Sequence, residues 1–166
     1  MEEWLIVDGY NVIGAHAGWA SLSLDESRDL LVSALAEYQA VTGREVTVVY
    51  DAHRSPGAET KTIDSRVKVW FTREHETADQ MIERLVRQHK KSQRRIYVAT
   101  SDFMEQRMIF GQGAYRVSSR ELIQQLTAMD KKIAKRIREK KERRSTLGQG
   151  LAGDLLETLE KWRREK

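Results

Sequence analysis

Apolar residues fall in short continuous runs, separated by longer stretches with helical spacing. Trp4-Leu5-Ile6-Val7 is the first run, ended by Asp8-Gly9, and it predicts a buried strand. From Asp25, residues Leu30, Leu31, Ala34, Leu35 and Tyr38 recur at helical intervals until Gly43, which predicts a helix and its stop. Val46-Thr47-Val48-Val49-Tyr50 is β-branched and aromatic, a second buried strand, and it also ends on an acid, Asp51. Residues 52–64 contain the only proline, Pro56, followed by Gly57, and predict a loop. Residues 67–71 predict a third strand. Residues 77–89 predict a helix with Met81, Ile82, Leu85 and Val86 on one face. Ile96-Tyr97-Val98-Ala99 predicts a fourth strand, which runs into Thr100-Ser101-Asp102. Tyr115-Arg116-Val117 predicts a short fifth strand, and Ser119 opens a long helix. A helix is also considered for residues 102–110.

Strands alternating with helices imply an α/β fold with a mainly parallel sheet and right-handed crossovers. Continuous rather than alternating apolar strands fit a sheet covered on both faces. The long helix is expected to carry the chain out of this domain (residues 1–130) into an extension (residues 131–166). In that extension, residues 147–153 hold three glycines and predict a linker. Leu151 at its end, with Leu155, Leu156, Leu159 and Trp162 beyond it, predicts an amphipathic terminal helix.

Charge sharpens this picture. The chain's 166 residues carry a formal net charge of +4, but unevenly. Residues 131–144 hold nine Lys/Arg against two Glu, and residues 84–95 hold six Lys/Arg and no acid. The remainder is therefore acidic, with a net charge of −9. Basic blocks beside an acidic body suit a polyanion gripped at one place and processed at another. Two solvated helix faces would have the same composition. Cysteine is absent, which excludes thiolate metal sites, disulfides and cysteine nucleophiles and is compatible with the cytoplasm. No apolar run is long enough for a membrane span, and the first residues lack the basic start of a signal peptide.

In an open parallel sheet, ligands bind at the carboxyl ends of the strands. Three predicted strands end on Asp there: Asp8, Asp51 and Asp102. Asp79, near the start of the helix after the third strand, belongs to the same edge. Crowded carboxylates repel one another unless a cation relieves them. Hard oxygen donors with no thiolate, and no histidine at ligand spacing, favour magnesium or manganese. Such a site suits phosphodiester hydrolysis. Each Asp taken alone could equally begin a turn or cap the next helix. Gly9 is expected to permit a sharp turn, and the Asn11 amide to hold Asp8 or a metal-bound water. His16, His53, His75 and His89 show no ligand spacing, and Thr100 and Ser101 have no histidine partner for serine-type catalysis.

Val7-Asp8-Gly9-Tyr10-Asn11-Val12-Ile13 resembles the opening motif of NYN-domain nucleases, a branch of the PIN-like superfamily. Val49-Tyr50-Asp51, Glu76-Thr77-Ala78-Asp79 and Ala99-Thr100-Ser101-Asp102 follow in that family's order. The similarity is to the YacP-like bacterial group and spans about residues 4–130. The resemblance implies a three-layer α/β/α PIN-like fold, a magnesium-type (or manganese) site and endoribonuclease activity. It implies Asp8, Asp79 and Asp102 as metal-binding and catalytic acids, with Asn11 beside Asp8. Many NYN proteins place two Asp residues around the last strand; here Thr100 stands at the first of those places. Asp51 is then the expected source of the missing charge, ahead of Glu76 and Glu105.

The expected partner is RNA, in particular mRNA, with the ribosome or ribosomal RNA as the assembly that could present it. No membrane partner is expected. His53, Arg54 and Lys61 in the 52–64 loop are candidate phosphate contacts, although a plain connector would look the same. Lys135, Arg136, Arg138, Lys140 and Lys141 are the candidate RNA-docking residues of the basic helix, which could equally be a solvated stem. A non-catalytic RNA-binding or ribosome-associated factor is the alternative to a metal-dependent endoribonuclease acting in RNA decay or processing. A phosphoryl receiver or phosphatase built on Asp51 is weaker, because an early Asp-x-Asp motif is missing.

Overall fold

A computed structural model of the chain describes residues 2–54, 66–101 and 113–164; over 147–158 and at 160 only the backbone is described. The chain divides into two units, Met1–Leu126 and Thr127–Lys166. The first contains a five-stranded sheet. Its elements are β1 (Glu3–Asp8), α1 (Gly9–Ala15), a 3-10 turn (Ala17–Trp19), α2 (Leu24–Thr42), β2 (Glu45–Tyr50), a second 3-10 turn (Ala52–Arg54), β3 (Lys68–Phe71), α3 (Ala78–Gln88), β4 (Arg95–Ala99) and β5 (Tyr115–Val117). A last helix, α4 (Ser119–Arg164), begins in the first unit and supplies the second.

All strand pairings are parallel, in the order β3-β2-β1-β4-β5. This is the expected mainly parallel α/β/α arrangement. The apolar runs explain the layers. Trp4 to Val7 are all buried, so both faces of β1 must be covered. Trp4, Ile6, Val49, Ile96 and Val98 point to one face, where Ala78, Met81, Ile82 and Val86 of α3 pack on them. Tyr50 belongs to the opposite face, against Tyr10 of α1, with ring centroids 5.0 Å apart. One polar pair sits within the α3 face: the Trp4 indole Nε1 donates to Thr47 Oγ1 at 2.9 Å. That bond satisfies two buried polar groups at once.

Local signals set the helix ends. Ser23 accepts a hydrogen bond from the Glu26 amide and caps α2. Gly43, at φ 72°, ends it in the left-handed conformation and donates its N–H to Gln39, an arrangement glycine adopts without a Cβ penalty. Thr77 and Gln80 form a reciprocal capping box at the start of α3.

Two local expectations are corrected. Residues 9–15 form α1 rather than a sharp turn; seven residues are too few for apolar periodicity to declare a helix. Residues 147–153 lie within α4 rather than in a linker. Each glycine there costs about 1 kcal/mol relative to alanine, but Leu, Ala, Glu and Lys neighbours favour the helix, and α4 continues through them. The possible helix at 102–110 lies outside the described residues.

Candidate active site

The strand order changes direction between β1 and β4: β2 and β3 extend the sheet on one side, β5 on the other. A parallel sheet opens a crevice at the carboxyl ends of its strands where the order reverses. Asp8 closes β1 at that point, and Thr100 and Ser101 follow β4. The register pairs Val7 with Ala99, so Asp8 and Thr100 are neighbours. The Thr100 hydroxyl donates to Asp8 Oδ2 over a long 3.4 Å, with both residues buried.

Strand alternation puts the Asp8 side chain on the same face as Trp4 and Ile6, which is the face α3 covers. Asp79 stands in the first turn of α3, where a negative charge complements the helix dipole. Asp8 and Asp79 therefore share both the edge and the face of the sheet. Asp8 is also the N-cap of α1, yet its side chain makes no capping hydrogen bond. Simple helix capping is not what its carboxylate does.

Asp51 differs. Its Oδ1 accepts the His53 amide at 3.0 Å, and its carbonyl accepts the Arg54 amide at 3.1 Å. This is the geometry of an acid that forms its own turn. Glu76, the other candidate for extra charge, is engaged with Arg84 at 2.9 Å.

Asn11 has a role that sequence reasoning missed. Its Oδ1 accepts the Ser101 amide at 2.8 Å and the Ser119 hydroxyl at 2.6 Å. The Ser119 amide in turn donates to Ser101 Oγ at 3.1 Å. One side chain of α1 thus ties the loop after β4 to the start of α4. The partners lie 90 and 108 residues away, so no local pattern announces them. The Asp8–Thr100 contact is legible in principle, since two residues at the ends of adjacent parallel strands must meet. Removing the Asn11 oxygen strands a buried hydroxyl and an amide, so Asn11→Ala is expected to destabilise the protein by about 1–3 kcal/mol. Chemical denaturation checks this; an unchanged midpoint would contradict it.

The remaining candidates spread out. The Arg54 guanidinium lies 5.0 Å over the Tyr10 ring, while His53 is exposed. His16 stacks on Trp19 with centroids 3.9 Å apart, and His89 meets Trp4 edge-on at 4.8 Å. Lys135, Arg136, Arg138, Lys140 and Lys141 are exposed on α4. Asp102, Lys61 and Glu105 lie outside the described residues. Among the described residues, no three His, Asp or Glu side chains form a group able to hold a metal. Magnesium does not require one: it is commonly held by one or two carboxylates, completed by water and substrate phosphates. The all-oxygen donor chemistry of Asp8 and Asp79 fits that mode. No helix among the described residues is long and apolar enough to cross a membrane.

A parallel sheet with an acid at its switch point and a second on the covering helix defines a PIN-like fold of the nuclease type, and the chain belongs to the YacP-like NYN domain family, whose model matches residues 5–164. The match reaches well past residue 130, so the C-terminal extension is part of the family pattern as well. The chain is 45% identical over 166 residues to the uncharacterized protein YacP of Bacillus subtilis (strain 168), covering 96% of each. It is also similar to the crystal structure of Rae1 (YacP) from Bacillus subtilis, with a TM-score of 0.76, 44% identity, and 99% of this chain and 95% of that one covered. A tryptophan-to-leucine variant of that protein superposes with a TM-score of 0.72, at 43% identity over 84% of each chain.

Proposed function

We propose that the protein is a metal-dependent endoribonuclease that hydrolyses RNA phosphodiester bonds at the Asp8–Asp79 edge, acting in mRNA or other RNA decay or processing in the cytoplasm. The observation that carries this reading is Asp8: a buried carboxylate at the β1–β4 crevice, unused for helix capping, on the same sheet face as Asp79. A hard divalent cation is commonly held by one or two carboxylates, with water and substrate phosphates completing its shell. When bound, magnesium or manganese supplies an activated water and charge compensation for the leaving oxygen.

The chain's own residues do the rest. Asp8 and Asp79 are the first-choice ion holders, joined in this proposal by Asp102. Thr100 orients the Asp8 carboxylate through its hydroxyl. Asn11 is a positioning residue that holds the loop after β4 against α1. Asp51 acts first as a turn former and contributes negative charge to the edge. The test is cleavage of end-labelled RNA, free and on translating ribosomes, with magnesium or with a chelator. Internal cuts that need the metal are expected. Uncut RNA in both presentations, with binding intact, would favour the non-catalytic RNA-binding or ribosome-associated reading.

The basic stretch of α4 is proposed to add affinity rather than chemistry. Among the described residues Lys135, Arg136, Arg138, Lys140 and Lys141 enter no ion pair, so their charge is available to phosphates. Replacing all five with Gln keeps helix propensity. RNA affinity should fall, and the slope of log affinity against log salt should flatten by about 0.7 for each single-strand phosphate that is no longer neutralised. Cleavage at saturating RNA should stay near the parent rate. An unchanged slope would make these charges a solvated face.

A further inference from the structure

Core packing leaves a cleft between α3 and the edge strand β3. The buried side of α3 lies on Trp4 and Ile6 of β1, Val49 of β2, and Ile96 and Val98 of β4, with no residue of β3 in that cluster, so the sheet face at the edge strand β3 is only partly covered. The cleft has a volume of about 340 Å³, within the range of small-ligand sites. Its buried lining includes Trp4, Thr47 and Met81. The Trp4 indole N–H is already spent on Thr47, so this lining asks for no polar partner. Trp70 also lines the cleft and is 47% exposed. It pairs in register with Val49 of β2 but stands outside the core cluster, so an indole surface faces an unfilled space.

The cleft is rimmed by cations. Lys68, Arg84 and Arg94 line it, each in an ion pair with Glu45, Glu76, or Glu2 and Glu45. Arg73 lines it too and is exposed; its backbone N–H donates to Glu76 Oε1 at 3.4 Å, while its guanidinium enters no ion pair among the described residues. A guanidinium outside any ion pair among the described residues therefore lines the same cleft as an exposed aromatic face. Arg73 lies on the connection from β3 to α3, six residues before Asp79.

We propose that this cleft is a subsite for one unpaired base of single-stranded RNA, stacked on Trp70 with its phosphate on Arg73. The inference rests on the RNA reading above and extends it. An aromatic face accepts any base, and a neighbouring cation takes the backbone, which is how single-strand binders work without sequence readout. A base paired in a duplex is unavailable to Trp70, so the subsite selects single strands. Because Arg73 and Asp79 end the same short connection, a strand anchored here leads towards the candidate acid edge.

The test is fluorescence anisotropy of a labelled 12-nucleotide single-stranded RNA, and of the same length as a duplex, in a chelating buffer where no cutting occurs. Trp70→Leu is expected to weaken single-strand binding at least about fivefold, the low end of what one stacked base contributes, with duplex binding unchanged. Trp70→Tyr, which keeps a stacking face, should retain most of the affinity, and circular dichroism shows whether each variant folds. Arg73→Gln should lower single-strand affinity and flatten its salt slope. Parental single-strand affinity in folded Trp70→Leu would overturn the proposal, as would equal losses for both RNAs. So would a change in self-association by sedimentation velocity with RNA binding intact, which would assign the cleft to a second copy of the chain. Cleavage by the parent in magnesium, measured alongside, tests the nuclease reading separately: a binder that never cuts can still show the Trp70 effect, and a nuclease can lack it.

Discussion

Asp8→Asn is expected to give a folded protein whose RNA cleavage in magnesium is slower by about 100-fold or more. Asn has the same shape and leaves β1 and the start of α1 undisturbed. It removes one negative charge from a buried position, where Asp8 is 7% exposed. Losing even the outer partners of a metal ligand typically costs about 10–100-fold in affinity or activity, so loss of a ligand itself should cost at least as much. RNA binding in chelating buffer should be unchanged, because this position is assigned to chemistry rather than affinity. Single-turnover cleavage, with thermal melting to confirm the fold, measures the effect. A folded Asp8→Asn protein that cuts at the parent rate would remove Asp8 from the site.

The second large effect falls on the neighbouring residue. A Cβ added at Gly9 would lie 2.2 Å from Tyr50 Cε1 and 2.5 Å from Cδ1. Tyr50 cannot easily give way: it is fully buried, between Tyr10 and Phe71 with ring centroids 5.0 and 5.7 Å away. That burial also pushes its phenol well above the ordinary range. Gly9→Ala should therefore destabilise by at least about 1–3 kcal/mol, the usual penalty for overpacking. The melting temperature should fall by roughly 2–4 °C for each kcal/mol. Activity should fall too, since any shift of α1 moves Asp8 and Asn11. The penalty should shrink in a Tyr50→Leu background, which removes the ring. An additive double variant would contradict the steric account.

Gly9 marks where sequence reasoning reaches its limit. The Asp8-Gly9-Tyr10-Asn11 motif is visible in the chain, and so is the need for glycine. The reason is not: Gly9 has no positive φ among the described residues, so space rather than backbone freedom demands it. That space belongs to a ring 41 residues away. The strands are legible because continuous apolar runs bounded by acids have few other readings. The carboxyl-edge placement of Asp8 and Asp79 follows from the same runs, once a parallel sheet is inferred. The tie from Asn11 to Ser101 and Ser119, and the turn-forming use of Asp51, depend on exact backbone positions that periodicity does not encode. The continuity of α4 through its glycines escapes a local reading, because the strong helix formers on either side outweigh the glycine penalty.

The most direct test of the central claim is the anomalous scattering of manganese in crystals of the protein soaked in that ion. The account predicts an anomalous peak at the β1–β4 edge, with carboxylate oxygens of Asp8 and Asp79 as ligands, and loss of that peak in Asp8→Asn crystals. A manganese ion bound elsewhere with that edge empty, while the same protein preparation cuts RNA in manganese, would contradict it.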